Sequence, residues 1–203
     1  MNNNAMFKIG YGLYVITANV NGYDNGCIVN TVIQVTTTPN RISVTINKDN
    51  KTHDMIMDSG KFNVSMLSQK ATFDVFKHFG FQSGKSVNKF ADFDALERSA
   101  NNIAYITDGT CAFLSATVYS SVDLGTHTMF IANVTDGEVL SDDEPVTYSY
   151  YHANIKPKPQ AVEVKAESAY RCKICGYVHE GELPDDFICP LCKHGASDFE
   201  KIK

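Results

Sequence analysis

Short apolar, β-branched and aromatic runs alternate with polar breaks along the first three quarters of the chain. YGLYVITA (11–18), CIVNTVIQVT (27–36), RISVTI (41–46), KFNVSML (61–67), CAFLSATVYSSV (111–122) and THTMFIANV (126–134) are rich in Val, Ile, Thr, Tyr and Phe, with Gly, Asn, Asp and Pro between them. Such runs predict strands, because branched and aromatic side chains suit a pleated, half-buried surface. NVNGYDNG (19–26) holds Asn21-Gly22 and Asn25-Gly26, both turn formers, so the first two strands are predicted to form a hairpin. Helical spacing occurs near 52–58 and 71–79, the second with Phe73, Phe76 and either Lys77 or Phe79 along one face. Many strands and few helices predict a mainly β fold, a closed or partly closed antiparallel barrel rather than a parallel sheet.

The pattern ends near residue 155. KPKPQAVEVKAES (156–168) has the composition of a linker with an extended start, although AVEVK alternates and would also suit a final edge strand. The predicted organisation is a barrel domain over 1–155, a linker over 156–168 and a small C-terminal unit over 169–203. A unit of that size cannot hold itself together by apolar burial alone and needs a staple.

Charge narrows the range of partners. The 18 basic and 23 acidic residues are spread along the chain, without a basic stripe to follow a phosphate backbone, so nucleic acid is not expected. No run approaches the roughly 18 apolar residues of a membrane span. MNNNAMFKIG shows no basic region leading into an apolar core, so a cytoplasmic location is expected.

Four of the six cysteines supply the staple. Cys172, Cys175, Cys189 and Cys192 form two C-x2-C pairs separated by 13 residues. Four thiolates make a soft tetrahedral cage that suits zinc or iron. Gly176, directly after the second cysteine, frees the backbone to turn so that N–H groups can point at sulfur. Spacing alone leaves open a closed zinc ribbon without redox chemistry. His179 and His194 lie nearby but are not needed as ligands and read as surface residues. Cys27 and Cys111 fall on predicted strands and read as core.

In the barrel, INKDNKTHDMI (46–56) is dense in amides, lysines and a hydroxyl directly after an apolar strand. Asn47, Lys48, Asn50, Lys51 and Thr52 offer many donors, and Thr52 is placed to cap the following helix, whose free N–H groups suit an anion such as phosphate. A polar turn followed by an ordinary helix cap is the alternative.

Resemblances sharpen these readings. Y-x-C-x-x-C-G-Y, C-P-x-C and Asp198-Phe199, with Tyr170, Tyr177, Phe187 and Phe199 as an aromatic core, resemble rubredoxin, in the abbreviated form appended to rubrerythrins. That resemblance implies one iron held by Cys172, Cys175, Cys189 and Cys192, a one-electron centre without an open coordination position. The order of G-x-x-x-N-T, T-x-P, N-K-x-N-x-T and short helix resembles the flavin reductase family with its FMN-binding split barrel. It implies that Val29, Asn30, Thr31 and Val32 border the isoalloxazine and that Asn47, Lys48, Asn50 and Thr52 hold the phosphate end. GFQSGKSVNKF (80–90) resembles the family's glycine-containing loop, which assigns Lys89, followed by Phe90, to the cofactor. GTHTMFIANV (125–134) resembles its G-D-H strand, which brings His127 near flavin and nicotinamide; Thr126 stands where the family has an acid, and a half-buried strand residue is the plainer reading of His127.

The two halves together resemble the high-molecular-weight rubredoxin family of anaerobic bacteria. The resemblance implies an oxidoreductase in which NADH or NADPH reduces FMN, FMN reduces the iron, and the iron reduces a flavodiiron protein that handles oxygen or nitric oxide. It also implies a homodimer formed through the barrel.

Overall fold

The computed structural model describes residues 5, 8–157, 168–173, 176–189 and 195–203. The chain divides into two compact units, Met1–Ile155 and Lys156–Lys203.

The first unit is built on a seven-stranded antiparallel sheet. Its strands are β1 (Tyr14–Val20), β2 (Tyr23–Val29), β3 (Ile33–Thr37), β4 (Asn40–Asn47), β5 (Lys61–Leu67), β8 (Thr110–Asp123) and β9 (His127–Val139), in the order β2-β1-β5-β8-β9-β4-β3. A separate hairpin, β6 (Leu96–Arg98) with β7 (Ala104–Ile106), packs β7 against β1 and β5. The two sheet edges, β2 and β3, are consecutive in the chain and joined by residues 30–32. The split of the barrel therefore falls within the predicted strand 27–36, which the structure breaks in two at Asn30.

The first hairpin forms as predicted, on one of its two turn signals. Val20 pairs with Tyr23, leaving Asn21 (φ 53°) and Gly22 (φ 82°) as a two-residue turn with both residues left-handed. Asn25-Gly26 lies inside β2 instead, where a Cβ on residue 26 would sit 3.1 Å from the Ile16 carbonyl and 3.2 Å from Phe79. Turn chemistry at 25–26 is overridden by the close packing of a helix on the strand.

β1, YVITANV, is mostly apolar because it is covered on both sides. Ile16 and Ala18 face the barrel interior with Val44, Ile46, Phe62, Val64, Phe130 and Ala132. Leu13 and Val15 face outward under α2 (Phe73–Gly80), against Phe76 and Phe79. Both faces are covered, so no polar face is left to alternate. The other helix, α1 (Lys51–Ser59), closes the interior cluster with Met55 and Ile56. A short helical segment, α3 (Tyr148–Tyr150), runs into a π-helical turn (Tyr151–Ile155) that buries Tyr151 beside Phe76. Among the described residues no helix is long and apolar enough to cross a membrane.

The second unit is a three-stranded sheet in the order β11-β10-β12, from β10 (Ala169–Cys172), β11 (Val178–Glu180) and β12 (Phe199–Lys201). Of the predicted linker 156–168, residues 158–167 lie outside the described residues, as does the AVEVK edge strand.

Candidate functional site

At one end of the barrel three connections meet: 30–32 between β2 and β3, 48–50 between β4 and α1, and the turn 124–126 between β8 and β9. Register brings them together. Asn47, the last residue of β4, pairs with His127, the first of β9. Lys48 donates its backbone N–H to the Thr126 carbonyl at 3.0 Å. The Thr31 hydroxyl donates to the Thr45 carbonyl at 2.7 Å and accepts from the Thr45 N–H at 3.1 Å, which pins 30–32 onto β4. Val29 and Val32 are half-buried against the barrel core, and Asn30 lines a cleft of about 960 Å³ with Tyr11, Tyr148 and His152. On β3, Ile33 and Val35 stay exposed at 62% and 44%.

The second segment differs from its expected form in one respect. α1 begins at Lys51, with Asn50 at the N-cap and no side-chain cap bond. Thr52 is not the cap: it is 1% exposed in the first turn, and its hydroxyl bonds the buried Cys27 thiol. The uncapped turn keeps N–H groups directed away from the helix, and the positive end of the helix dipole favours an anion there. Asn47 turns its amide oxygen to the Asp49 N–H at 2.8 Å. Lys48 holds its ammonium 2.7 Å from the Asp123 carboxylate. The hydrogen bond from Lys48, with a second from the Gly125 N–H, holds Asp123 below the usual carboxylate range. Position 126 itself holds Thr126, and the acid next to this turn is Asp123, three residues earlier. Its signal in the sequence was Asp123 preceding L-G-T-H. His127 itself is half-buried, with Nδ1 2.8 Å from the Thr126 hydroxyl.

The Lys89 ammonium is engaged inside the fold. The residue is 4% exposed, and its ammonium donates to the carbonyls of Gly26 at 2.8 Å and Phe79 at 2.9 Å. The loop that carries it folds back over α2, with Phe90 and Phe93 against Phe79, so the cation is drawn inside to the end of that helix.

In the C-terminal unit, Cys172 and Cys189 are buried at 1% and 0% exposure, while Cys175, Cys192 and His194 lie outside the described residues. Gly176 adopts φ 81°, its N–H donating to the Cys172 carbonyl at 2.9 Å, and Cys172 in turn donates to the Tyr177 carbonyl at 2.8 Å. An antiparallel bridge pairs Ile188 with Gly195. Phe187 stacks near Tyr177 at 6.5 Å and meets Phe199 edge-on at 5.3 Å. Tyr170 takes a rim position, with its hydroxyl 3.3 Å from Glu182 and Lys201 over its ring. His179 is partly exposed, with Nε2 3.2 Å from the Glu182 carbonyl and its ring 4.5 Å from Phe187. Two buried thiols on short, turn-locked elements fit a soft tetrahedral metal, and the open α1 terminus with its amides and lysine fits a phosphate monoester.

Comparison with known proteins agrees. The flavin reductase like domain matches residues 6–157, and the rubrerythrin, rubredoxin-like domain matches residues 170–200. The chain is 36% identical, over the full length of both, to the high molecular weight rubredoxin of Moorella thermoacetica. It is 38% identical to the ferric-chelate reductase (NAD(P)H) of Archaeoglobus fulgidus, over 81% of this chain and 97% of that one. The fold matches the flavin reductase PheA2 in its native state with a TM-score of 0.62 and 25% identity, covering 90% of this chain and 99% of that one. The chain therefore belongs to the flavin reductase-like family and, with its rubredoxin-like C-terminal domain, to the high molecular weight rubredoxins, a group of oxidoreductases.

Proposed function

We propose that this chain is an NAD(P)H-dependent oxidoreductase whose barrel (1–155) holds FMN and whose C-terminal domain (169–203), joined by 156–168, holds one iron, and that it delivers electrons to a protein partner such as a flavodiiron oxygen or nitric oxide reductase. The observation that carries this reading is the meeting of Thr31, Asn47, Lys48 and His127 at the open end of α1 in a chain that also bears the buried thiols Cys172 and Cys189. When bound, FMN supplies a two-electron acceptor that also gives up single electrons, and a tetrathiolate iron supplies a one-electron relay.

The chain's own residues divide the work. Val29 and Val32 offer apolar flanks for a flat ring, and Asn30 a polar contact at its edge. Thr31 fixes the height of that loop through its two bonds to Thr45. Asn47, Lys48, Asn50 and the N–H groups of the α1 first turn, Thr52 included, hold the phosphate. His127 is assigned to the nicotinamide side, next to Asn47. Cys172, Cys175, Cys189 and Cys192 hold the iron, with Gly176 turning the backbone beneath the first pair. The apolar side chains left exposed on β3 and on the long β8–β9 hairpin, Ile33, Val35, Tyr119, Val122 and Leu124, suit burial in a homodimer. A cytoplasmic site of action goes with this chemistry.

Anaerobic stopped-flow spectroscopy of the full chain with NADH and with NADPH tests the reading. Flavin absorbance is expected to bleach first and the sulfur-to-iron charge-transfer bands after it. Cys189→Ala is expected to abolish the iron bands and transfer to the acceptor while FMN stays bound. A chain whose bound flavin neither nicotinamide reduces is a passive carrier, and one that is colourless beyond the flavin is a zinc-ribbon protein. The likeness to a ferric-chelate reductase favours a second reading, in which the barrel alone reduces a ferric chelate. Ferric-chelate reduction at an undiminished rate in Cys189→Ala supports it.

A further inference from the structure

The first turn of α1 carries a histidine that the phosphate site does not account for. His53 is 8% exposed, and its ring tilts against Phe130 with centroids 5.7 Å apart. Nδ1 lies 3.0 Å from the Asp54 carboxylate and Nε2 lies 2.9 Å from the Thr128 hydroxyl. A carboxylate can only accept, so Nδ1 carries the ring proton, and in the neutral imidazole Nε2 then accepts from the hydroxyl of Thr128. Carboxylate, ring and hydroxyl form a short chain of hydrogen bonds in which each group orients the next. The pattern has the composition of a hydrolytic triad. Thr128, however, is 5% exposed on a central strand, so no substrate reaches its oxygen.

The two bonds differ in what they connect. The bond to Asp54 stays within α1. The bond to Thr128 crosses to β9, to the residue directly after His127, and Thr128 pairs with Ile46 in the register that also pairs His127 with Asn47. Side-chain capping is absent at the start of α1. The crossing bond is therefore a direct polar link between the helix turn that offers N–H groups and the strand pair that carries Asn47 and His127. Both partners are buried, where a hydrogen bond is strong and a missing partner is costly.

We propose that His53 is a positioning residue for the flavin phosphate: its bond to Thr128 fixes the first turn of α1 against β9, so that the turn's N–H groups, Asn47 and Lys48 converge on one anion. The inference rests on the phosphate assignment above. His53 acts through the helix and does not itself touch the flavin.

The test separates the two bonds. His53→Gln carries an amide near the place of Nε2 and can keep Thr128, whereas His53→Asn carries one near Nδ1 and can keep only Asp54. Thr128→Val removes the link from the other side, and Thr128→Ser retains the hydroxyl. Each full-length variant, stripped of flavin, is titrated with FMN and with riboflavin, which lacks the phosphate, by quenching of flavin fluorescence. Riboflavin binding reports that the barrel is intact. His53→Asn and Thr128→Val are each expected to weaken FMN about tenfold, the loss of one buried hydrogen bond, and to change riboflavin by less than about twofold. His53→Gln and Thr128→Ser are expected within about threefold of wild type. The His53→Asn/Thr128→Val double variant is expected to be no worse than either single one, because both remove the same link. Unchanged FMN preference in His53→Asn overturns the inference alone, as do equal losses of both flavins or a His53→Gln variant no better than Asn. A wild-type chain that binds both flavins equally overturns the phosphate assignment and the inference with it.

Discussion

Lys89→Met distinguishes a buried clamp from a cofactor ligand. The sequence motif assigns Lys89 to the flavin, whereas the structure gives its ammonium two carbonyl partners at 2.8 and 2.9 Å, with the residue 4% exposed. One partner, the Phe79 carbonyl, belongs to the last turn of α2, where carbonyls have no acceptor role left inside the helix and a cation meets the negative end of the dipole. Methionine retains most of the stem's volume, so the loss is polar. Two hydrogen bonds from a charged donor are worth about 1.5–3 kcal/mol each, opposed by the desolvation that the buried ammonium no longer suffers. The net expectation is a loss of about 3 kcal/mol. For a unit of this size that lowers Tm by roughly 6–12 °C.

The assay is urea and thermal unfolding of the flavin-free chain by circular dichroism at pH 7, followed by FMN titration of the folded variant. FMN affinity is expected within about twofold of wild type. Stability within about 0.5 kcal/mol of wild type together with a tenfold or greater loss of FMN affinity refutes the clamp and returns Lys89 to the cofactor. The pH dependence has a definite sign. Burial lowers the Lys89 pKa from its ordinary 10.5, so the unfolded chain binds that proton more tightly than the folded one. The cost of the buried charge is present in full at neutral pH and is relieved as pH rises through the folded-state value toward 10.5, so wild type gains stability relative to Lys89→Met across that alkaline window.

Two further outcomes follow from the barrel. Burial pushes the Cys27 thiol up to about 11, against smaller opposing effects of Thr52 and Lys89, so Cys27 is expected to resist a thiol reagent at pH 8 until the chain unfolds; labelling of Cys27 before any loss of circular dichroism contradicts this. Ile33→Glu introduces a charge where a 62% exposed isoleucine sits on β3, and is expected to convert a dimer to monomer in sedimentation equilibrium; an unchanged dimer excludes β3 from the interface.

Strand positions were legible because burial in this barrel is dictated mostly by apolar patterning, and the runs at 41–46, 61–67 and 111–122 all fall within observed strands. The β6–β7 hairpin was not legible. Each strand is three residues long, too short for a periodic signal, and the turn depends on Asn102 at φ 63°, on the Asn101 amide oxygen accepting from the Ile103 N–H within the turn, and on Asn63 of β5, whose amide donates to the Ile103 carbonyl. The break at Asn30 was hidden for a related reason: nothing in IVNTVIQV is a strong turn former, and the break is enforced by the Thr31 hydroxyl clasping Thr45 fourteen residues away. In the site, donors adjacent in sequence, such as Asn47, Lys48 and Asn50, could be read directly. His53–Thr128 and Lys48–Asp123 could not, since each joins residues 75 apart through strand register.

The cysteines show why burial by itself does not identify function. Cys27 and Cys172 are nearly alike in exposure, at 3% and 1%. Cys27 sits in the barrel interior among aliphatic side chains, on a strand whose neighbours are fixed by the ladder, and its burial opposes the thiolate. Cys172 ends a short strand, and within four residues the chain reverses at Gly176 with φ 81°, bonded back to the Cys172 carbonyl. That reversal does nothing for a core thiol, whose packing needs only volume. It suits the metal ligand proposed at Cys172, because it turns the chain back directly after the C-x2-C pair. A left-handed glycine directly after C-x2-C, rather than burial, is therefore the local feature that sets Cys172 apart from the core thiol Cys27.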